Sequence, residues 1–450
     1  MKWAALAVVL AAFFPLADWL RRNPSHTPKV WMLVGVLPFF LATLHFMVAP
    51  ISWAAWPGYV HGAELTAIDV IAAAFYLVLP RAGGRLPFRL SMVIYFLVVV
   101  ASTIPAKVPM ASLFYAWQLA RMFLVYAVVA RACADERVVP ALLSGMAVGL
   151  CIEVVVALWQ REHGTLQTGG TLGHQNLLGM MSHFVVFPWV ALLLAGQRGW
   201  APVVGPIAGA IVDVLTISRA TVGFAAVGCA ILFLISAWRQ WTSRKAMILV
   251  SGTAAAAVLV PVIYLSFQER FEIQPIDASV YDERAAFEKA ATMMLSDHPF
   301  GVGANNYVVV ANTDGYNQRA GVAAVTSSEG ANVHNLYFLA AAETGYVGTL
   351  TLVLMLLQPI ILAFRCGWRH RGDRRGDLLL GLGLSMLIVC IHSFFEWVFI
   401  SYPAQYMFSI EAGIVAGLAQ QLGYFRGTAR SGVRVQARRA VGSVAKVAGS

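Results

Sequence analysis

The sequence is poor in charge: Asp, Glu, Lys and Arg make up 12% of its 450 residues, against 59% that are hydrophobic, and its mean hydropathy is +0.71. So little charge excludes a water-soluble domain of ordinary composition. Cysteine is scarce as well. Cys133, Cys151, Cys229, Cys366 and Cys390 show no CxxC spacing and fall in apolar stretches or beside basic loops, which argues against a disulfide frame and a thiolate metal site. No HExxH, no paired carboxylates at metal spacing and no Walker loop occur, so no metal ion or nucleotide is implied as cofactor. Internal repeats and low-complexity tracts are also absent.

What is present is a succession of apolar runs of about 17 to 25 residues, the length that crosses a hydrocarbon core as a helix. They predict an all-α polytopic membrane protein with thirteen spans, at 3–20, 30–50, 63–80, 87–105, 110–130, 138–160, 175–196, 201–217, 220–238, 246–266, 335–364, 377–399 and 402–421. The formal net charge of +10 lies mostly in alternate loops: Arg21, Arg22 and Lys29; Arg81, Arg85 and Arg89; Arg131 and Arg137; Arg198; Arg239, Arg244 and Lys245; the run "FRCGWRHRGDRRGD"; and the tail from Arg426. The positive-inside rule makes these loops cytoplasmic and accounts for the basic balance without a nucleic acid as partner. The N-terminus is then outside and the C-terminus inside. The first apolar run reads as a retained helix, because no small-x-small cleavage site precedes its Arg pair.

Four regions follow: N-terminal spans over 1–266, one large outer loop over 267–333, C-terminal spans over 334–424 and a basic cytoplasmic tail over 425–450. The large loop is where chemistry is expected, since long loops in compact proteins are uncommon unless functional. Within it, "YDERAAFEKAATMML" (281–295) predicts a helix whose face Phe287, Ala290, Ala291 and Met294 lies on the outer membrane surface, with Arg284 one turn away at headgroup level. The following "DHPFGVGANNY" predicts a turn in which the backbone N–H groups around Gly301 and Gly303 are candidate anion contacts.

Setting aside the cytoplasmic cations leaves Lys2, Lys107, Arg121, Arg161, Arg219, Arg270, Arg284, Lys289 and Arg319. Arg219, in "LTISRATVGF", joins two spans at the outer face against the positive-inside trend, which makes it a functional candidate. Arg121 lies about 16 Å deep by helix rise and needs a partner, for which Glu343 is predicted as a structural ion pair. His334 and Asn335 open the eleventh span in "ANVHNLYFLAAAETGYVG". Nine residues separate His334 from Glu343, so on one continuous helix they point to nearly opposite sides and form no dyad. The loop "REHGTLQTGGTLGHQN" adds Arg161, His163, His174, Gln175 and Asn176 at the same face, and His392 and Glu396 in "HSFFEW" are expected to share one helix face.

Two arginines and a histidine at an outer membrane face suit an anionic, lipid-linked substrate. Guanidinium groups grip phosphate through paired hydrogen bonds and neutralise a departing diphosphate, while histidine accepts the proton of an attacking hydroxyl. Cytoplasmic ATP is absent there, so an activated donor must arrive on a lipid; glycosyl transfer from a polyprenyl diphosphate meets these conditions. The segments "GTLGHQNLLGMM", "SRATVGF", "YDERAAFEKAATMMLSDHPFGVGANNY" and "HNLYFLAAAETGYVG", in this order and topology, resemble the O-antigen ligase and polymerase superfamily over most of residues 165–400. The resemblance implies an inner-membrane glycosyltransferase of the GT-C type, with about a dozen helices and a large periplasmic loop. It further implies transfer of O-antigen polysaccharide from undecaprenyl diphosphate to lipid A-core, with inversion and without metal. Arg219 and Arg284 would bind the diphosphate and His334 would position or deprotonate the acceptor hydroxyl, with Asn335, Arg161, His174, Asn176, Gly301 and Gly303 as accessory candidates. Alternatives are an O-antigen polymerase, a protein O-oligosaccharyltransferase, and a lipid-glycan transporter; a transporter would predict repeats and polar groups near the midplane.

Overall fold

The computed structural model describes residues 2–80, 86–273 and 278–425. The tail predicted over 425–450 therefore lies, beyond Phe425, outside the described residues. Helices occupy every predicted span: α1 (Lys2–Arg22), α2 (Thr27–Phe40), α3 (Ala67–Val78), α4 (Arg89–Ala101), α5 (Pro109–Ala132), α6 (Val138–Glu162), α7 (Gln175–Leu194), α8 (Ala201–Thr216), α9 (Arg219–Arg239) and α10 (Ser243–Ile273). The large loop carries α11 (Ala278–Asp297), α12 (Tyr307–Thr313), α13 (Tyr316–Ala320) and α14 (Thr326–Glu329), before α15 (Leu336–Arg369), α16 (Arg374–His392) and α17 (Tyr402–Gln421) close the chain. Among the described residues eight helices, α1, α5, α6, α7, α9, α10, α15 and α16, are long and apolar enough to cross a membrane, and α3, α4 and α8 are shorter apolar helices. The chain is a polytopic membrane protein.

The second predicted span, 30–50, is shortened. α2 stops at Phe40, and the chain then crosses a loop containing one antiparallel strand pair, Met47–Val48 with Leu65–Thr66. The strand pair leads into α3, whose N-terminus is closed by a capping box: Thr66 accepts from the Asp69 N–H while Asp69 accepts from the Thr66 N–H. Packing between helices relies on small residues, as expected where lipid supplies no hydrophobic drive for association. A Cβ on Gly35 of α2 would lie 3.1 Å from the Cα of Gly145 on α6, so the two backbones meet directly. α17 runs through the centre, buried along almost its whole length. α10 is the opposite: none of its apolar window is buried inside the protein, and it is held at its ends.

The predicted Arg121–Glu343 pair is not formed. Arg121 donates to Asp69 Oδ2 at 2.9 Å and to the Tyr406 hydroxyl at 3.1 Å, with Glu64 at 3.7 Å. Helix rise gives depth but not azimuth, and the packing of α3 and α17 on α5 turns Arg121 toward them instead. The cluster ties three helices together. Arg121→Ala is expected to cost about 3–5 kcal/mol, because Asp69 is left buried without its cation; a thermal unfolding scan in detergent should show the loss, and an unchanged Tm would refute it.

Glu343 instead accepts from the Tyr59 hydroxyl at 2.6 Å and the Tyr307 N–H at 3.0 Å. It sits two residues before a break in α15: Gly345 has φ 68° and ψ −170°, which glycine adopts most readily. The break frees carbonyls of the preceding turn, and the loop before α12 takes them up. Val302 N–H donates to Ala342 O and Gly303 N–H to Glu343 O, both at 2.9 Å, and Tyr346 N–H returns to Pro299 O at 3.1 Å. Gly301 and Gly303 both have positive φ, and their N–H groups are spent on His298 O and Glu343 O. These glycines therefore lock the kink and do not form the expected anion cradle.

α11 forms as predicted, but the face expected to meet lipid is covered by protein. Phe287, Ala290, Ala291 and Met294 are all buried, packed against α15 and α13. An apolar helical stripe fits protein or lipid equally well, so periodicity alone could not choose between them.

Candidate anion-binding site

Three helices begin at one place. α7 is capped by His174, whose Nδ1 accepts from the Asn176 N–H at 3.2 Å. α9 is capped by Ser218 and starts with Arg219. α15 is capped by Asn335, whose Oδ1 accepts from the N–H groups of Tyr337 and Phe338 at 3.0 and 3.3 Å. Each helix N-terminus carries about half a positive charge, so together they favour an anion even where caps take up their N–H groups. Between them lies a cavity of about 500 Å³ whose walls include His174, Asn176, Arg219, Arg270, Arg284, His334 and Glu396.

Local folding explains how each side chain arrives. Ile217 ends α8 in the left-handed region, φ 46°, which reverses the chain within two residues and presents Arg219. Arg219 lies with its guanidinium carbon 6.0 Å from the Phe271 ring of α10. Arg270, also on α10, reaches across to donate to Ile217 O at 2.7 Å. Arg161 at the end of α6 pairs with Glu269 and donates to Leu166 O at 3.1 Å, so it anchors α10 and stays out of the cavity walls. Arg284 comes from α11, whose buried apolar face orients it toward Phe395 O at 3.5 Å and Glu396 at 3.3 Å.

Glu396 is the hub. α16 stops at His392, so His392 and Glu396 do not share a helix face as expected; His392 is buried against His183 and Phe224, while Glu396 lies in the following turn. That turn also caps α15, since Leu336 N–H donates to Ser393 O at 2.9 Å. Glu396 Oε1 accepts from Asn176 Nδ2 at 2.6 Å and from Arg284, and Oε2 faces His334 Nδ1 at 3.3 Å. A carboxylate can only accept, so this contact puts the hydrogen of a neutral His334 on Nδ1 and leaves Nε2 with its lone pair. The Glu396 side chain is 3% exposed and that of His334 29%. Burial pushes the Glu396 carboxyl up, but the hydrogen bond and charge of His334, with Arg284 and His174, hold it below its ordinary value. Burial pushes the His174 imidazole down, with Glu396 opposing and His334 adding to the shift.

Of the residues nominated from sequence, Arg219, Arg284, His334, His174 and Asn176 come together here; Asn335 is spent as a helix cap, and Arg161, Gly301 and Gly303 serve the scaffold. Sequence reasoning passed over Arg270 and the role of Glu396. Arg270 was visible as a cation on the non-cytoplasmic side; nothing in sequence marked Glu396 as the partner of His334, 62 residues earlier. Among the described residues no group of three or more His, Cys, Asp or Glu is arranged to hold a metal ion.

Fold and site together define a polytopic membrane protein that gathers arginines, histidines and helix N-termini around an anion-sized cavity. Residues 204–353, a third of the chain, match the family model described as O-antigen ligase. The match runs from α8 into α15 and includes Arg219, Arg270, Arg284 and His334, whereas His174, Asn176 and Glu396 lie outside it. No curated protein matches the chain.

Proposed function

We propose that the chain transfers O-antigen polysaccharide from undecaprenyl diphosphate to lipid A-core at the periplasmic face of a bacterial inner membrane. The observation that carries this reading is the pairing of three guanidinium groups and three helix N-termini with one buried carboxylate that orients a histidine. The cationic excess suits a diphosphate, whose charge increases as it leaves. The acceptor hydroxyl attacks the anomeric carbon and its proton passes to His334 Nε2. The carbon–oxygen bond to the diphosphate breaks, and undecaprenyl diphosphate departs with the electron pair while Arg219, Arg270 and Arg284 neutralise it. Glu396 stabilises the imidazolium that forms, as the orienting carboxylate does in a catalytic triad. No nucleotide takes part.

Reconstitution with undecaprenyl-diphosphate-linked O-antigen and lipid A-core, in the presence of a chelator, tests the reading. Capped lipopolysaccharide is the expected product. Longer lipid-linked glycan from donor alone would replace it with a polymerase, and neither product would overturn both.

Glu396→Gln keeps the shape but removes the charge, and is expected to slow transfer by up to about 10⁴-fold, the loss on neutralising a triad carboxylate. It also changes acid stability. Because the carboxyl is held below its unfolded value, its contribution is complete above the ordinary glutamate range and is lost as pH falls through the folded value. The Tm of the wild type should therefore fall more steeply than that of the variant on acidification; parallel curves would count against the network.

A further inference from the structure

α9 leads from the arginine cavity to a second cationic cavity, about 30 Å away by helix rise, at the opposite end of the bundle. Its volume is about 600 Å³, and its walls include Arg239, Arg244, Lys245, Arg371, Arg374 and Asp377. Asp377 is the one acid in this lining, and it is committed to Arg239 at 2.7 Å. No carboxylate among the described residues lies within ion-pair distance of the other four cations.

Those four are held in place by neutral groups. Lys245 is 5% exposed and donates to Ser236 O at 2.8 Å and Gln240 O at 2.6 Å, at the carbonyl end of α9. An ammonium has three hydrogens, so one remains for a ligand. The Arg371 guanidinium stacks over Trp368 at 4.5 Å, and Arg374 has a single bond to Gln197 Oε1 at 3.3 Å. Arg244 occupies the space where a side chain on Gly196 would sit, and Gly196 has φ 84°. Converging cations that outnumber the one acid beside them repel one another, and an anion between them relieves that cost. A purely topological positive charge has no need of such convergence, since solvated side chains can point apart.

The surroundings select the source of the anion. Trp238, Trp241 and Trp368 are exposed at this end, 85%, 58% and 45% respectively. Exposed tryptophans next to a basic pocket mark the headgroup level of a bilayer. The positive-inside pattern assigns the same end to the cytoplasmic leaflet, where anionic lipids and basic pockets between helices meet. We propose that this cavity binds the paired phosphate groups of an anionic membrane lipid, with five cations and one carboxylate facing two phosphates. The site does not depend on the transfer reaction proposed above.

Full-length protein in phosphatidylcholine nanodiscs, titrated with cardiolipin as the two-phosphate probe and read by native mass spectrometry of retained lipid, tests this. Arg244→Ala with Arg374→Ala should weaken retention by roughly tenfold or more, since each cation near an anionic surface contributes roughly fivefold. Arg22→Ala, which removes a charge from the same predicted face outside the cavity, should leave it unchanged. If the double variant fails to fold, the exposed Arg371→Gln is read the same way, with roughly a fivefold loss expected. Equal retention by wild type and variants, or an equal loss in Arg22→Ala, would overturn the site. Inorganic pyrophosphate that displaces cardiolipin at matched concentration would overturn the lipid assignment in favour of a soluble anion.

Discussion

His334→Ala is expected to lower transfer by about 10²–10⁴-fold, the usual contribution of a positioned acid or base, while donor affinity stays near that of the wild type. His334 Nε2 is the nitrogen left free by Glu396, and Arg270 and Arg284 of the cavity wall are held by other groups. His334→Gln separates two roles that alanine cannot. Glutamine accepts a hydrogen bond but takes no proton at this pH, so a general base predicts it as inactive as alanine, and a positioning group predicts substantial recovery. A fully active alanine variant, or a defect confined to donor binding, would remove His334 from the chemical step.

Arg284→Ala is expected to weaken donor binding by about 10- to 100-fold, the range for losing charged hydrogen bonds, with a smaller change in the rate at saturating donor. Arg284 is 41% exposed, and its bond to Glu396 is long at 3.3 Å, so its guanidinium is only loosely committed before substrate arrives. Arg284→Lys should fall between wild type and alanine, since it keeps the charge but loses the two-pronged geometry. Arg219→Ala should act in the same direction. Arg270 discriminates more sharply, because it already serves Ile217 O. If Arg270→Ala weakens the donor as much as Arg284→Ala, the cavity engages the diphosphate through all three arginines. A titration of lipid diphosphate against each purified variant measures this, and unchanged affinity in all three would place the donor elsewhere.

Several features of the site were legible before any packing was known. Arg219, Arg284 and His334 stood out because each is a polar group on one predicted side of the membrane, which topology gives; that they line one cavity is set by packing. Asn335 takes a local role that sequence could not single out, capping its own helix through Oδ1. An asparagine just before an apolar run is equally suited to a substrate or to the first turn of its own helix, and the local bonds to Tyr337 and Phe338 take it. For Gly303 the signal was out of reach, because the kink at Gly345, where Glu343 O takes its N–H, lies about forty residues further on, while the Gly301 N–H closes its own turn on His298 O.

By itself the sequence determined that this is a multi-span helical membrane protein, roughly where each helix runs, and which loops carry the out-of-place cations. Those properties depend on run length, apolarity and charge along the chain, which are one-dimensional. Only the tertiary structure decided that Arg121 pairs with Asp69 rather than Glu343, that α11 packs on protein, that Arg270 enters the cavity, and that Glu396 orients His334. Each of these is a choice of partner between segments far apart in sequence. Such choices are set by helix azimuth, by kinks and by where a helix stops, and apolar periodicity leaves all three undetermined.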